Sequence, residues 1–132
     1  ATNEAELQFQ TGASYNTATT QTAFWARHGE DGGGAALGYS TGHDAAQSTG
    51  LVTIGFDNPN GNDLAYHGIM HLFAPSSTTF IKNYYVRMQA CAEQRDEFFG
   101  GYINSTAAVT RIKFQMSSGN MDDGTIALYG IN

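Results

Sequence analysis

The chain has a single cysteine, Cys91, so no disulfide can close within it and the fold must be held by packing and hydrogen bonds. Charge is scarce too. Asp, Glu, Lys and Arg make up 14% of the residues, against ~25% in an average soluble domain. Cations are the scarcer sign: six Lys and Arg stand against twelve Asp and Glu, a net charge of −6. That argues against a surface built to neutralise phosphates and makes nucleic acid and anionic membrane poor candidate partners. No apolar run approaches ~18 residues, and no basic segment leads into an apolar one at the start, so neither membrane insertion nor a signal peptide is expected. Nothing repeats at a fixed period, which removes solenoids and propellers, and no stretch carries a convincing helical pattern.

What the chain does have is glycine, 16 in 132 residues, with many Ser, Thr, Asn and Gln. That length fits one domain, which buries roughly two-thirds of the surface its unfolded form exposes. Residues Ala1 to Thr20 hold only Leu7, Phe9 and Tyr15 as large apolar side chains and are expected to be an extended arm, leaving 21–132 as the folded domain. Phe24 and Trp25 mark a first strand, stopped by Gly29 to Gly34, and Ala35 to Gly50 reads as a long surface loop. Val52, Ile54 and Phe56 share one face of a strand that ends in the turn Asp57 to Asp63. Gly68 to Phe73 is a short strand. Thr78 to Cys91 is the longest, with Phe80, Tyr84, Val86, Met88 and Ala90 on one face. Near the end, Ile112, Phe114 and Met116 alternate with Arg111, Lys113 and Gln115; Ser117 to Gly124 turns the chain, and Thr125 to Ile131 is expected to pair back as a closing hairpin. Many short strands with Gly-rich connections predict an all-β fold, an antiparallel β-sandwich, jelly-roll-like, of about eight strands.

Chemistry is harder to find. His67 and His71 stand four apart, which on a strand separates them by about 13 Å and disfavours a shared metal. His28 beside Glu30 and Asp31, and His43 beside Asp44, are loop neighbours that tell little. The Asp57 to Asp63 run resembles a calcium loop in composition, yet Gly61 aligned with the obligatory glycine puts Phe56 at the first ligand position. No serine sits in a Gly-x-Ser-x-Gly elbow, and Cys91 reads as a packed strand residue. Paired carboxylates could come only from Glu93, Asp96 and Glu97 or from Asp122 and Asp123, with nothing arguing for a raised pKa. Asn104-Ser105-Thr106 fits the N-glycosylation pattern, which matters only in a eukaryotic host. Neither a catalytic residue, a metal ligand nor a cofactor-binding residue is assigned. The better lead is aromatic and polar surface: Trp25, Tyr39, His43, Tyr66, His67, Tyr85 and Tyr102 are candidate subunit or ligand contacts. Rings of this kind serve an interface, bind sugar, or close the ends of the sandwich.

The last third carries a resemblance. Gly100-Gly101-Tyr102, Asn104-Ser105-Thr106, Ile112 and Phe114, Met116-Ser117-Ser118-Gly119-Asn120, Gly124-Thr125 and Leu128-Tyr129-Gly130-Ile131 resemble the C-terminal signature of small structural proteins of tailed bacteriophages. Upstream, Thr53 to Pro59 looks like that family's strand ending in Phe-Asn-Pro, with Asp57 intervening, and Ile103 stands where Trp follows Gly-Gly-Tyr. The resemblance implies a jelly-roll virion protein without enzymatic activity or cofactor, a homo-oligomer with a trimer favoured, in contact with other virion proteins. It makes Gly101, Asn120, Gly124, Leu128, Tyr129, Gly130 and Ile131 structural. Related proteins occur on tails, fibres and capsid surfaces, so two roles stay open: building or decorating the virion, or binding a host receptor or surface glycan at a tail fibre or tail tip.

Overall fold

Period-two alternation of side chains builds almost every element. The computed structural model describes residues 3–58, 65–91, 94–121 and 123–131. Its strands are β1 (Asn3–Gln10), β2 (Thr19–His28), β3 (Ala36–Tyr39), β4 (Ala45–Ser48), β5 (Val52–Asn58), β6 (Tyr66–Leu72), β7 (Lys82–Ala90), β8 (Gln94–Ile103) and β9 (Arg111–Met116). A short 3-10 turn, Thr41–His43, separates β3 from β4. All pairings are antiparallel. A narrow sheet runs β5-β1-β9 and a wide sheet runs β3-β2-β8-β7-β6, with β4 also against β2. The two pack as the expected antiparallel β-sandwich, with nine strands among the described residues.

The core lies between the sheets. Ala5, Leu7 and Phe9 of β1 and Val52, Ile54 and Phe56 of β5 meet Ala23 of β2, Tyr84 and Val86 of β7, and Phe99 and Ile103 of β8. The β5 and β7 faces are those expected from alternation, except that Phe80 precedes β7 and is exposed. At the start of β7 the fully buried Lys82 satisfies its ammonium on the carbonyls of Ser105 (3.1 Å) and Ala107 (2.5 Å), fastening the segment that follows β8.

Three expectations change. Residues 3–10 are not an arm outside the sandwich: β1 is the middle strand of the narrow sheet, with Leu7 and Phe9 fully buried. The folded unit therefore reaches back at least to Asn3, because this strand's apolar face is half of the core. Residues 35–50 are not only a loop, since β3 and β4 form one edge of the wide sheet. The closing hairpin is absent. β9 pairs with β1 in an unbroken ladder from Ala5↔Met116 to Gln10↔Arg111, while residues 125–131 belong to no strand. β9 takes a strand distant in sequence along one edge, in six paired positions, and residues 125–131 do not return to its other edge.

A buried amide helps tie the sheets to each other. Gln21 of β2 donates from Nε2 to the Thr53 carbonyl of β5 (2.6 Å) and to the His43 carbonyl (3.1 Å). Its Oε1 accepts the Tyr84 hydroxyl (2.8 Å) across the intervening strand β8. Gly101 makes that reach possible, for it lies opposite both Gln21 and Tyr84, and a Cβ there would stand 2.8 Å from the Tyr84 oxygen and 2.5 Å from the Thr20 carbonyl. Gln21→Ala deletes three hydrogen bonds and leaves buried partners unpaired, so urea denaturation should show a loss of about 2–4 kcal/mol. Tyr84→Phe removes one bond and should cost about 1 kcal/mol; equal losses for the two variants would show that the amide is not the shared node.

Candidate functional site

Strand alternation that turns the core residues of the wide sheet inward turns an equal set outward, and the registers arrange these in rows. One row is Tyr39, Phe24, Phe98, Arg87 and Ile69, crossing β3, β2, β8, β7 and β6 in order. The next holds Thr22, Gly100, Tyr85 and His71. Beyond it stand Thr20, Tyr102 and Asn83; on the opposite side come Leu37, Ala26, Asp96, Gln89 and His67. Phe24, Leu37, Tyr39, Ile69 and Tyr85 are all exposed. Side chains of this kind on an outer sheet face form an apolar surface of the sort that marks contact sites.

The face is also ordered internally. Phe24 and Phe98 stack with centroids 4.8 Å apart, and the Arg87 guanidinium lies 5.3 Å over Phe98. Asp96 grips Arg87 through Nε (2.8 Å) and Nη2, and this hydrogen-bonded pairing raises the arginine's pKa. His71 stacks on Tyr85 at 4.6 Å, and Phe73 leans against the same ring at 5.9 Å. Tyr39 donates to Asp44 and accepts from Thr22 (3.2 Å); Tyr102 accepts from Gln47 (3.1 Å), itself bonded to Thr20 and Asn104. Between the two ring clusters Gly100 leaves open space, with nothing within 4 Å of where a Cβ would project. At the β6 side an open hollow of about 260 Å³ is lined by His67, Gly68, Ile69, Arg87 and Gln89.

Of the residues singled out in the sequence, Tyr39, Tyr85, Tyr102 and His67 come together on this face. Trp25, Tyr66 and His43 do not, because each points between the sheets. Trp25 fits over Gly38, where a Cβ would lie 2.5 Å from its ring, and the guanidinium groups of Arg27 and Arg95 stand 5.4 and 5.3 Å from it. Tyr66 occupies space that any side chain at Gly55 would need and donates to Glu97 at 2.7 Å. His43 stacks on Phe56 at 4.3 Å, with Nδ1 2.6 Å from the Ser40 hydroxyl and Nε2 3.3 Å from Glu4, which also accepts from Thr53. That chain of bonds lashes β1, β5 and the 3-10 turn together.

Phe24, Phe98, Arg87, Ile69 and His71 are members of the face that sequence reasoning missed. The available signal was the pairs Phe24-Trp25 and Phe98-Phe99: on a strand, one of two adjacent rings must face outward. His67 and His71 both face out with Ile69 between them. Among the described residues no three His, Cys, Asp or Glu side chains gather as a metal would require. Cys91 exchanges hydrogen bonds with the backbone of Ala65. Of the signature residues, Gly101 lies at the buried node, Gly124 has φ +151°, and Leu128, Tyr129 and Ile131 are exposed; Asn120 and Gly130 are exposed as well. Pro59 to Leu64, the larger part of the Asp57 to Asp63 turn, together with Glu93 and Asp122, lie outside the described residues.

The acidic neighbours Asp96 and Glu97 do not act as a pair, since they project from opposite faces of β8. Glu97 is fully buried, with Oε2 accepting the Phe56 N–H (3.0 Å) and the Tyr66 hydroxyl (2.7 Å). Its Oε1 is buried and has no hydrogen-bond partner among the described residues. Burial pushes this carboxyl up from 4.5 to about 7, against the opposing pull of Tyr66, Phe56 and Arg95, which corrects the expectation of ordinary acids. Burial, reinforced by Glu97, in turn raises the Tyr66 phenol far above its usual range. Burial lowers Arg95.

Compared with known proteins, the chain matches no protein-family model, no curated protein and no solved structure.

Glu97 sets a pH dependence of stability. The folded chain holds this proton up to about pH 7 while the unfolded chain releases it near 4.5, so the Glu97 contribution is full below pH 4.5 and declines as pH rises through that window. The decline amounts to about 3 kcal/mol. Glu97→Gln should abolish it, and urea titrations of both proteins between pH 4.5 and 7 measure the difference.

Proposed function

We propose that this chain is a non-enzymatic structural protein of a tailed-phage virion, an oligomeric β-sandwich that builds or decorates the capsid or tail surface and makes its contacts through the outer face of the wide sheet. The observation that carries the contact surface is the outward row Tyr39, Phe24, Phe98, Arg87 and Ile69 on an antiparallel scaffold, exposed except for the half-buried Phe98. Adding partner surface to such rings removes apolar area from water at about 25 cal/mol per Å² without ordering a loop first. The virion assignment is supported by the resemblance of the closing residues, and the scarcity of cations turns the partner away from nucleic acid and toward protein.

A second reading rests on the hollow beside His67, Arg87 and Gln89. With the His71 and Tyr85 rings next to it, the hollow offers a stacking plane flanked by hydrogen-bond donors, which suits a host surface glycan. The readings separate in one pair of variants. Phe24→Ser with Phe98→Asp should abolish incorporation into particles, followed by immunogold labelling of purified virions, while the unfolding midpoint moves by only about 5 °C or less. Tyr85→Ala should leave incorporation intact under the first reading and erase glycan-array binding under the second.

A further inference from the structure

The chain carries a strand without a sheet and a sheet edge without a strand. Residues 125–131 alternate Ile126 and Leu128 with Ala127 and Tyr129, a strand's period, yet they form no ladder among the described residues, and Ile126, Leu128, Tyr129 and Ile131 are 65, 92, 82 and 85% exposed. No other run among the described residues offers so many large apolar side chains to water. On the body, β9 lies at the edge of the narrow sheet and, among the described residues, pairs with β1 on one side only. Its core-facing side chains Ile112, Phe114 and Met116 pack against the core but are only half covered.

We infer that residues 125–131 of one copy add as a strand to the free edge of β9 in a second copy, with Ile126 and Leu128 laid beside Ile112, Phe114 and Met116. Both halves of the contact reside in every chain, so copies satisfy one another by exchange and no other partner is needed. The main-chain groups of 125–131 then gain ladder partners, and the half-covered margin of the core is closed. Pairing within one chain would need the connection Ser117 to Gly124 to fold the segment straight back on β9. Residues 125–131 do not make that return, and no described strand other than β1 pairs with β9. The partner is thus a second copy of this chain, and this holds whether or not the virion assignment does.

The test uses the full chain in a Cys91→Ser background, with Lys113→Cys in one preparation and Ala127→Cys in another, both positions being exposed. A short bismaleimide should give a covalent dimer when the two preparations are mixed and none with either alone, and peptide mapping should join residue 113 to residue 127. In the chain bearing both substitutions the link should again fall between copies. Leu128→Asp, at a side chain 92% exposed, should leave the far-UV CD and the unfolding midpoint of the monomer unchanged. It should weaken self-association at least 10-fold, read by light scattering across a dilution series. A link confined within one chain, a mixture that gives no dimer, a wild type that stays monomeric throughout, or a Leu128→Asp variant that associates like wild type overturns the inference. Because these positions lie away from Phe24 and Phe98, failure here leaves the outer-face contact test standing, and the reverse is also true.

Discussion

The sandwich depends on Gln21 standing where an apolar residue would be easier to bury. A sheet of three strands facing a wider one could slide without losing much area, because hydrophobic burial is not directional. An amide held by the Tyr84 hydroxyl of its own sheet and reaching the Thr53 carbonyl of the other sheet gives the packing a direction, as the Phe56 N–H on Glu97 does. Glycine at position 101 belongs to the same constraint, as it clears the line between the tyrosine and the amide. The same logic recurs at the margins: Gly55 makes room for Tyr66, Gly38 for Trp25, and the Glu4–His43 contact holds β1 to the 3-10 turn.

Much of the fold was legible because alternation is a local signal. Val52, Ile54 and Phe56, and Tyr84, Val86 and Met88, occupy the inner faces their spacing implied. What escaped was the partner of each strand. Ala5, Leu7 and Phe9 alternate as plainly as any run, yet with β5 and β9 lying dozens of residues away, nothing nearby shows that the strand is central. The opposite error arose at residues 125–131, where a strand pattern follows a good turn and proximity suggested a hairpin. A pattern reports that a segment is suited to a sheet; it is silent on which sheet, or whose.

The candidate site was legible by residue type and not by side. Tyr39, Tyr85, Tyr102 and His67 were recognised as surface aromatics and a surface histidine, and they share the outer face. Tyr66 and Trp25 look the same in the sequence, but missing side chains at Gly55 and Gly38, each on another strand, create the spaces that draw them inside. Glu97 was obscured for a related reason. Its neighbour Asp96 is paired with Arg87 on the surface, while Glu97 is carried one residue further round the pleat into the interior, where Tyr66 and the Phe56 N–H are its partners.

The interruption between β3 and β4 has a bearing on what can add to that side of the wide sheet. Both strands lie along the same side of β2, each four residues long, with the 3-10 turn and the Asp44 carboxylate between them, the latter accepting the Ala23 N–H. A long, flat, unbroken margin at this side would template sheet growth without limit. Split into two short pieces and plugged by an acid, this margin gives an approaching strand no continuous ladder to follow, so that side of the molecule acts as a stop to end-on stacking.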